Sequence, residues 1–234
     1  MENNQLASGW WRSVDFHGWA FSIESFVDEV AHKLGKDPYE FRVELLKNPK
    51  ILKLPLTSET LDQSRQLEVL KATAKRADWG KKMPKGSAQG IACCTYFHCN
   101  TYVAQVAEVS VQKDGSLKID KVVCGVDCGT VINPNLAKQQ IEGGIIYGLS
   151  ALLYGEITLA NGRVKQSNFH DYQVARMQDT PEIEVFFMDS NGRNPGGTGE
   201  PSVPAIAPAV LNAIFRATGK RIRKMPLKDQ NLTY

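Results

Sequence analysis

The hydrophobic period of this chain changes at a polar segment, Lys81–Ser87, and that change constrains the fold more than any other feature. Before this segment, apolar residues recur at intervals typical of amphipathic helices. After it, small and β-branched residues follow the alternating period typical of strands. Helices first, then mixed strands and helices, predict an α+β fold. We therefore expect an N-terminal helical segment over residues 1–85 and an α+β part with packed helices over residues 86–234.

The first segment carries the apolar spacing of three helices. Apolar residues recur at helical intervals over residues 21–34, and Asp37 followed by Pro38 is typical of a helix N-terminus. A third helix is predicted before the breaker pair Trp79–Gly80. The predicted helices and their candidate N-caps are 21–34 with Ser22, 38–46 with Asp37, and 61–77 with Ser58 or Thr60.

The second segment carries predicted strands that are joined by turns. Lys113–Ser116 is a polar, glycine-containing hairpin turn, and Asn161–Gly162 is the turn of a second hairpin. Alternating apolar and charged residues over Arg221–Pro226 predict a final strand. Asn135 is the candidate cap of a long helix that ends near Leu153. The remaining predicted strands are 90–99, 102–112, 117–127, 155–160, 163–167 and 183–188, and the remaining predicted helix is 204–218.

Composition excludes two classes of partner. The formal net charge is only +3, and no basic run is long enough to form a phosphate-binding stripe, so we expect no nucleic-acid partner. No segment approaches the run of about 18 apolar residues that a membrane-spanning helix needs, so we expect no membrane span. The polar start, Met1–Ser8, has no signal-peptide pattern, and the sequence leaves localisation open.

The five cysteines predict buried thiols rather than a metal site. They lie in apolar, strand-like runs, and their number is odd. Zinc and iron–sulfur sites use paired short spacings on turns, which this chain does not have. No metal ligand is therefore predicted among Cys93, Cys94, Cys99, Cys124 and Cys128.

A glycine-rich loop at Asn194–Pro204 is the strongest candidate for a functional site. Its three glycines let the backbone bend sharply and approach a ligand without a Cβ atom in the way. A single carboxylate, Glu200, follows them and has no neighbouring Lys or Arg in the sequence. Chemistry alone leaves two interpretations open. Glu200 is either a general base in a pocket or a carboxylate that is stabilised by the N-terminus of the next helix.

The order of several short motifs resembles one protein family. Each motif is weak alone, but together they are similar to the molybdenum-binding large subunit of the xanthine oxidase/aldehyde oxidase family. The nearest branch resembles the large (beta) chain of isoquinoline 1-oxidoreductase and related bacterial aldehyde dehydrogenases. The large subunit of that family is much longer, and this chain resembles its C-terminal third. The motifs are Gly9–Val14, Ile23–Glu29, Tyr102–Val109, Val126–Pro134, Gln140–Gly144, Asn168–Tyr172, Gly197–Glu200 and Ala213–Gly219.

The resemblance implies roles for individual residues. Glu200 matches the catalytic glutamate of the family, which accepts a proton at the molybdenum centre. Gln140 matches a glutamine whose amide lies at the pterin, although the adjacent Gln139 is an equal candidate from chemistry alone. Arg12 matches an arginine near the cofactor, and a surface salt bridge is its alternative interpretation. The other implied cofactor contacts are Gly143 and Gly144, for which helix packing is the alternative, and the loop backbone at Gly196, Gly197, Thr198 and Gly199.

The resemblance also implies a cofactor, partners and a reaction. The cofactor is molybdopterin with molybdenum, in its cytosine dinucleotide form, and the 2Fe-2S clusters lie on a small partner subunit. The remainder of the large subunit is a further partner. The implied reaction oxidises an N-heteroaromatic compound or an aldehyde with oxygen that derives from water. The alternative is a folded, non-catalytic fragment or interaction module that cannot hold the cofactor alone.

Overall fold

The computed structural model describes residues 9–54 and 59–234, and this part of the chain contains five α-helices and eight strands. The helices are α1 (Phe16–Lys33), α2 (Pro38–Leu45), α3 (Gln63–Arg76), α4 (Pro134–Leu153) and α5 (Val203–Thr218). The strands are β1 (Ile51–Lys53), β2 (Thr60–Asp62), β3 (Ser87–Tyr96), β4 (Thr101–Val111), β5 (Leu117–Asp127), β6 (Leu159–Ala160), β7 (Arg163–Val164) and β8 (Glu182–Phe187). The predicted α+β class is confirmed.

A four-stranded sheet in the order β3-β4-β5-β8 forms the centre of the fold. Its first three strands run antiparallel, and β8 pairs with β5 in parallel. Successive side chains of β4 point to opposite faces, so Tyr102 and Ala104 lie in one core cluster and Val103 lies in the other. Almost every residue of β4 is buried because helices cover both faces of the sheet.

The two faces are covered by different helices. Helix α3 packs Val69 and Leu70 against one face, where both side chains are fully buried. Helices α4 and α5 cover the other face, and Gly90 of β3 allows α5 to pack closely against that strand. A Cβ atom at Gly90 would lie 2.2 Å from the backbone oxygen of Ala209 and from the backbone nitrogen of Ala213. A side chain at Gly90 would therefore collide with the backbone of α5.

The N-terminal helices pack on the same core. Phe16 and Ala20 of α1 are buried with the sheet residues that face α5. The change of hydrophobic period at 81–87 lies in the connection between α3 and β3. The division of the chain into domains at residue 85 stays a prediction.

Several predicted elements are confirmed with small shifts at their ends. The strand at 117–127 has the predicted bounds, and the two predicted hairpin turns join β4 to β5 and β6 to β7. Asp37 caps α2, since its side chain accepts hydrogen bonds from the backbone N–H groups of Tyr39 and Glu40. In the described part of the chain, no helix is both long enough and apolar enough to cross a bilayer.

Three predicted helix caps are wrong. Helix α1 begins at Phe16, and the Ser22 hydroxyl lies inside it, where it donates to the Gly18 carbonyl at 2.9 Å. Thr60 is part of β2, and Ser58 lies outside the described residues. The observed cap of α3 is Asp62, whose side chain accepts a hydrogen bond from the Ser64 N–H. The observed cap of α4 is Asn133, not Asn135, and the Asn133 side chain accepts a hydrogen bond from the Leu136 N–H.

The predicted strand over Arg221–Pro226 is also wrong. This segment has no strand structure, because its arginines pair with α1 instead of lying along a sheet. Arg221 contacts Asp28 at 2.5 Å, and Arg223 contacts Glu29 at 2.7 Å. The alternation of charged and apolar residues therefore reflects two ion pairs rather than a strand with one solvent-exposed face.

A buried ion pair joins α3 to the end of β5. Arg65 donates from Nε and Nη2 to the two carboxylate oxygens of Asp127, both at 2.8 Å. Arg193, just before the glycine-rich loop, donates to the same carboxylate at 3.2 Å. Burial alone would raise the pKa of Asp127. The hydrogen bonds from Arg65 and the Gly129 N–H, together with the charges of both arginines, outweigh burial and lower the pKa.

We expect Asp127→Asn to destabilise the fold by about 3–5 kcal/mol at pH 7, since it leaves Arg65 buried without its counter-ion. The pKa of Asp127 is lowered on folding, so its ionisation stabilises the protein above the unfolded-state pKa of about 3.9. This contribution is lost as the pH falls through the lower folded-state pKa. Urea unfolding at pH 7 and at acid pH measures both effects.

The parent protein should therefore lose more stability than Asp127→Asn as the pH falls below about 4. Asp229→Asn, at an exposed residue near the C-terminus, serves as the control and should leave the stability curve nearly unchanged. Equal acid sensitivity of Asp127→Asn and the parent protein would contradict a lowered pKa of Asp127 in the folded state.

Candidate functional site

A strained turn before α1 forms one side of the site. Ser13 has a φ of 77° and Val14 a φ of 51°, which is the left-handed region that favours glycine. For a β-branched residue such as Val14 this conformation is an outlier, and surrounding contacts must hold it. Ser13 is fully buried, and its backbone N–H donates to Oε1 of Glu200 at 2.9 Å. Its hydroxyl donates to the Glu200 carbonyl at 2.6 Å, so the turn is tied to the end of the glycine-rich loop.

Arg12 joins this turn to the loop and to α4. Its Nε donates to the Gly199 carbonyl at 2.8 Å, and its Nη2 donates to the same oxygen. The Nη2 atom also lies 3.4 Å from both the side-chain and the backbone oxygen of Gln140. These partners are neutral oxygens, so the surface salt bridge does not describe Arg12. The structure thus brings four predicted site residues together: Arg12, Gln140, Gly199 and Glu200.

The carboxylate of Glu200 has a second donor, which the sequence did not reveal. The Tyr96 hydroxyl donates to Oε2 of Glu200 at 2.8 Å, and Tyr96 is only 1% exposed. Burial raises the pKa of Tyr96, and its hydrogen bond to Glu200 raises it further, so the phenol stays a donor. The only signal in the sequence was the place of Tyr96 in a predicted strand that leads toward the site.

The glycine-rich loop lies on the turn between β3 and β4. The N–H of Gly196 donates to the Cys128 carbonyl at 2.7 Å, and the N–H of Gly197 donates to the Cys99 carbonyl at 3.0 Å. A Cβ atom at Gly197 would lie 2.6 Å from the Cys99 sulfur. The protein therefore already uses these two N–H groups, and contacts of Gly196 and Gly197 with the cofactor stay a prediction. Toward the described residues, the N–H groups of Thr198 and Gly199 make no hydrogen bond.

The two adjacent glycines of α4 lie in different environments. A Cβ atom at Gly144 would lie 2.1 Å from the Ser202 hydroxyl oxygen, so the helix-packing interpretation describes Gly144. A Cβ atom at Gly143 would have open space around it, as far as the described residues reach. Gln140, Gly143 and Tyr147 follow the spacing of one helix face, which is the face that Arg12 reaches. Gly143 therefore leaves bare helix backbone between two side chains that contact Arg12.

A cleft of about 210 Å³ opens between the start of α4 and the glycine-rich loop. Its wall combines neutral hydrogen-bonding groups with apolar side chains, and none of the described residues that line it is charged. Such a wall suits a heterocyclic ligand with a hydrogen-bonding edge. The lining residues are Cys128, Thr130, Val131, Ile132, Asn133, Leu136, Ala137, Gln140, Pro195, Gly196 and Thr198.

Glu200 does not line this cleft, because its carboxylate points to Ser13 and Tyr96. Arg12 contacts Gln140 at the cleft and Gly199 beside the carboxylate, and so connects the two parts of the site. Within the described residues, no group of three His, Cys, Asp or Glu side chains could hold a metal ion. Four of the cysteines are buried and Cys99 is half-buried.

Known proteins with similar sequences are much longer than this chain. The sequence profile of the molybdopterin cofactor-binding domain matches residues 33–181, which is more than half of the chain. The chain is 37% identical to a membrane-bound aldehyde dehydrogenase (pyrroloquinoline-quinone) from Gluconacetobacter polyoxogenes, over 96% of this chain and 29% of that protein. It is 34% identical to the beta chain of isoquinoline 1-oxidoreductase from Brevundimonas diminuta, over 89% of this chain and 25% of that protein. The chain thus spans less than a third of these relatives.

Solved structures show the same fold. The aldehyde oxidoreductase from Desulfovibrio desulfuricans superposes with a TM-score of 0.73 at 15% identity, over 96% of this chain and 41% of that chain. The aldehyde oxidoreductase from Desulfovibrio gigas superposes with a TM-score of 0.70 at 14% identity, over 92% of this chain and 40% of that chain. The family that the motifs resemble is confirmed, and the chain belongs to the molybdopterin cofactor-binding domain family.

Proposed function

We propose that this chain is the part of a molybdenum hydroxylase large subunit that carries the catalytic base and one wall of the cofactor site. The complete enzyme would oxidise an N-heteroaromatic compound or an aldehyde with oxygen that derives from water. One observation carries the proposal. Arg12, from the start of the chain, contacts both Gln140 and Gly199, and the adjacent Ser13 contacts Glu200, so the residues implied by the family form one cluster.

The residues of the cleft fit a pterin. The Gln140 amide both donates and accepts hydrogen bonds, which matches the edge of a heterocycle. The backbone N–H groups of Thr198 and Gly199, which have no acceptor among the described residues, are two further donors. Gly143 leaves α4 open to close approach by a ligand.

The chain's own residues would bind the cofactor, orient the base and exchange a proton. Bound molybdopterin, with its molybdenum, would supply the two-electron oxidation that no side chain of this protein can perform. Glu200 would accept a proton at its carboxylate, and the hydrogen bonds from Ser13 and Tyr96 fix the position of that carboxylate. Arg12 would hold the base and the cleft in a fixed relative position, since its guanidinium contacts Gly199, the residue before Glu200, as well as Gln140.

The finer features of the assembly belong to the same proposal. The cofactor would be the cytosine dinucleotide form of molybdopterin. The described cysteines form no group that could hold an iron–sulfur cluster, so the 2Fe-2S clusters would lie on a small partner subunit. Two relatives, from isoquinoline 1-oxidoreductase and from nicotinate dehydrogenase, are themselves named as single subunits of those enzymes, which supports an assembly of several subunits. The remainder of the large subunit would complete the site.

Glu200→Gln in the assembled enzyme should lower kcat by at least about 100-fold, because it removes the base but keeps the shape of the side chain. The molybdenum content should not change. Glu182→Gln is the matched control, since Glu182 is exposed on β8, where it pairs with Lys121. Turnover at the parent level in Glu200→Gln would exclude Glu200 as the base.

Gln140→Ala should reduce the molybdopterin content of the assembled enzyme, since it removes the amide that lies in the cleft. Gln139→Ala changes the neighbouring exposed glutamine and should leave the content unchanged. Fluorescence of the released, oxidised pterin and metal analysis measure both variants. Equal losses in the two variants would contradict a specific role for Gln140. Molybdenum that is bound by the assembled enzyme but not by this chain alone would favour the fragment that cannot hold the cofactor by itself.

Gly143→Ala and Gly144→Ala separate ligand approach from helix packing. Gly143→Ala should stabilise the protein by up to about 1 kcal/mol, because alanine favours a helix and no described atom lies within 4 Å of the new methyl group. The same variant should lose cofactor. Gly144→Ala should destabilise the fold, because its methyl group would collide with Ser202. Full cofactor content in Gly143→Ala would place the pterin away from this face of α4.

A further inference from the structure

Two donors from distant parts of the chain hold the carboxylate of Glu200. The backbone N–H of Ser13 reaches Oε1 at 2.9 Å, and the Tyr96 hydroxyl reaches Oε2 at 2.8 Å. Each oxygen of the carboxylate therefore has its own donor, and the side chain cannot rotate without breaking both bonds. Hydrogen bonds to an ionised acceptor are stronger than those between neutral groups.

The surroundings of Tyr96 fix its hydroxyl in place. Tyr96 lies at the end of β3, opposite Thr101 of β4, where the strand pairing sets its backbone. Its ring packs against Phe16 of α1 at a centroid distance of 4.3 Å, and the side chain is buried. A phenol that is held by a strand and by a ring contact donates along one direction, which is the direction of Glu200.

The surroundings of Ser13 fix the second donor. Its positive φ turns the N–H toward Glu200, and its hydroxyl bond to the Glu200 carbonyl keeps the turn closed. A non-glycine residue in this conformation is strained, so the contact with Glu200 must compensate for the strain. Strain that is kept beside one carboxylate indicates that the position of that carboxylate matters.

We propose that Tyr96 is a positioning residue, which acts with the Ser13 N–H to hold the Glu200 carboxylate in one orientation. This proposal rests on the proposed function in one respect, since that function is the reason why the Glu200 carboxylate must be oriented. The contact itself can be tested without turnover. Among the described residues, the Tyr96 phenol and the half-buried Cys99 thiol lie beside the carboxylate, and the guanidinium of Arg12 binds the adjacent carbonyl of Gly199.

The thiol of Cys99 does not compete for this role. Burial raises the pKa of Cys99, and the charge of Glu200 raises it further, so the group stays neutral beside the carboxylate. Arg12 donates to the backbone of Gly199 rather than to the carboxylate oxygens. Tyr96 is therefore the side chain whose removal changes the carboxylate most directly.

The test uses the assembled enzyme, prepared without molybdenum, and a water-soluble carbodiimide with an amine as the probe. The carbodiimide labels protonated carboxyl groups, and mass spectrometry of the peptide that contains Glu200 gives the labelling rate at each pH. Tyr96→Phe keeps the buried ring but removes the donor. We expect the labelling rate of Glu200 at a given pH to rise about fivefold, since the loss of one hydrogen bond frees the carboxyl group to move.

Tyr102→Phe is the matched control. Tyr102 is equally buried on the adjacent strand, but its hydroxyl accepts from the Asp62 N–H at 2.7 Å, away from Glu200. Its labelling curve should coincide with that of the parent enzyme. An unchanged curve in Tyr96→Phe, or the same rise in both variants, would overturn the proposal whether or not Glu200 is catalytic.

With molybdenum present, Tyr96→Phe should lower kcat by about tenfold with an unchanged KM, because the base is no longer held in place. A change in KM alone would overturn a role in orienting the base. If Tyr96→Phe fails to accumulate, Ser13→Ala replaces it, because it removes the hydroxyl bond that closes the turn. The labelling rate of Glu200 in Ser13→Ala should also rise, and an unchanged rate would count against the proposal.

Discussion

The hydrogen bonds between the N-terminal turn and Gly199–Glu200 hold the site together. Ser13 and Arg12 together make contacts with the side chain and carbonyl of Glu200, the carbonyl of Gly199 and the oxygens of Gln140. These residues come from the beginning, middle and end of the chain, so the site exists only when the whole fold has formed. The unfavourable backbone at Ser13 and Val14 is the cost of placing a donor on the carboxylate.

The rest of the fold fixes the two sides that this contact joins. Helix α5 lies directly on β3, which carries Tyr96 at its end, and Gly90 makes that approach possible. On the other side of the sheet, Arg65 and Arg193 share the carboxylate of Asp127. Arg193 comes just before the glycine-rich loop, so this buried pair anchors the loop as well as α3. Packing against α5 fixes the position of β3, and the ion pair between Arg193 and Asp127 fixes the position of the glycine-rich loop.

Local signals predicted much of this architecture. The change of period at 81–87, the Asp37–Pro38 helix start and the hairpin turn at 113–116 each follow from nearby residues, and the structure has all three. The cap of α4 was misplaced by two residues, since Asn133 rather than Asn135 precedes the helix, and the strand over 221–226 was wrong because distant contacts decided it. Arg221 and Arg223, for example, pair with α1 rather than with a strand, which no local pattern reveals.

The site was partly predictable for the same reason. Motifs identified Arg12, Gln140 and Glu200, but Tyr96 has no motif, and only the sheet brings its hydroxyl to the carboxylate. The most direct test of the account is an experimental structure of the assembled enzyme with its cofactor bound. The account predicts a pterin in contact with Gln140 and Thr198, on the face of α4 that includes Gly143, with the metal on the side of Glu200. A cofactor bound elsewhere, with this face of α4 covered by protein, would contradict it.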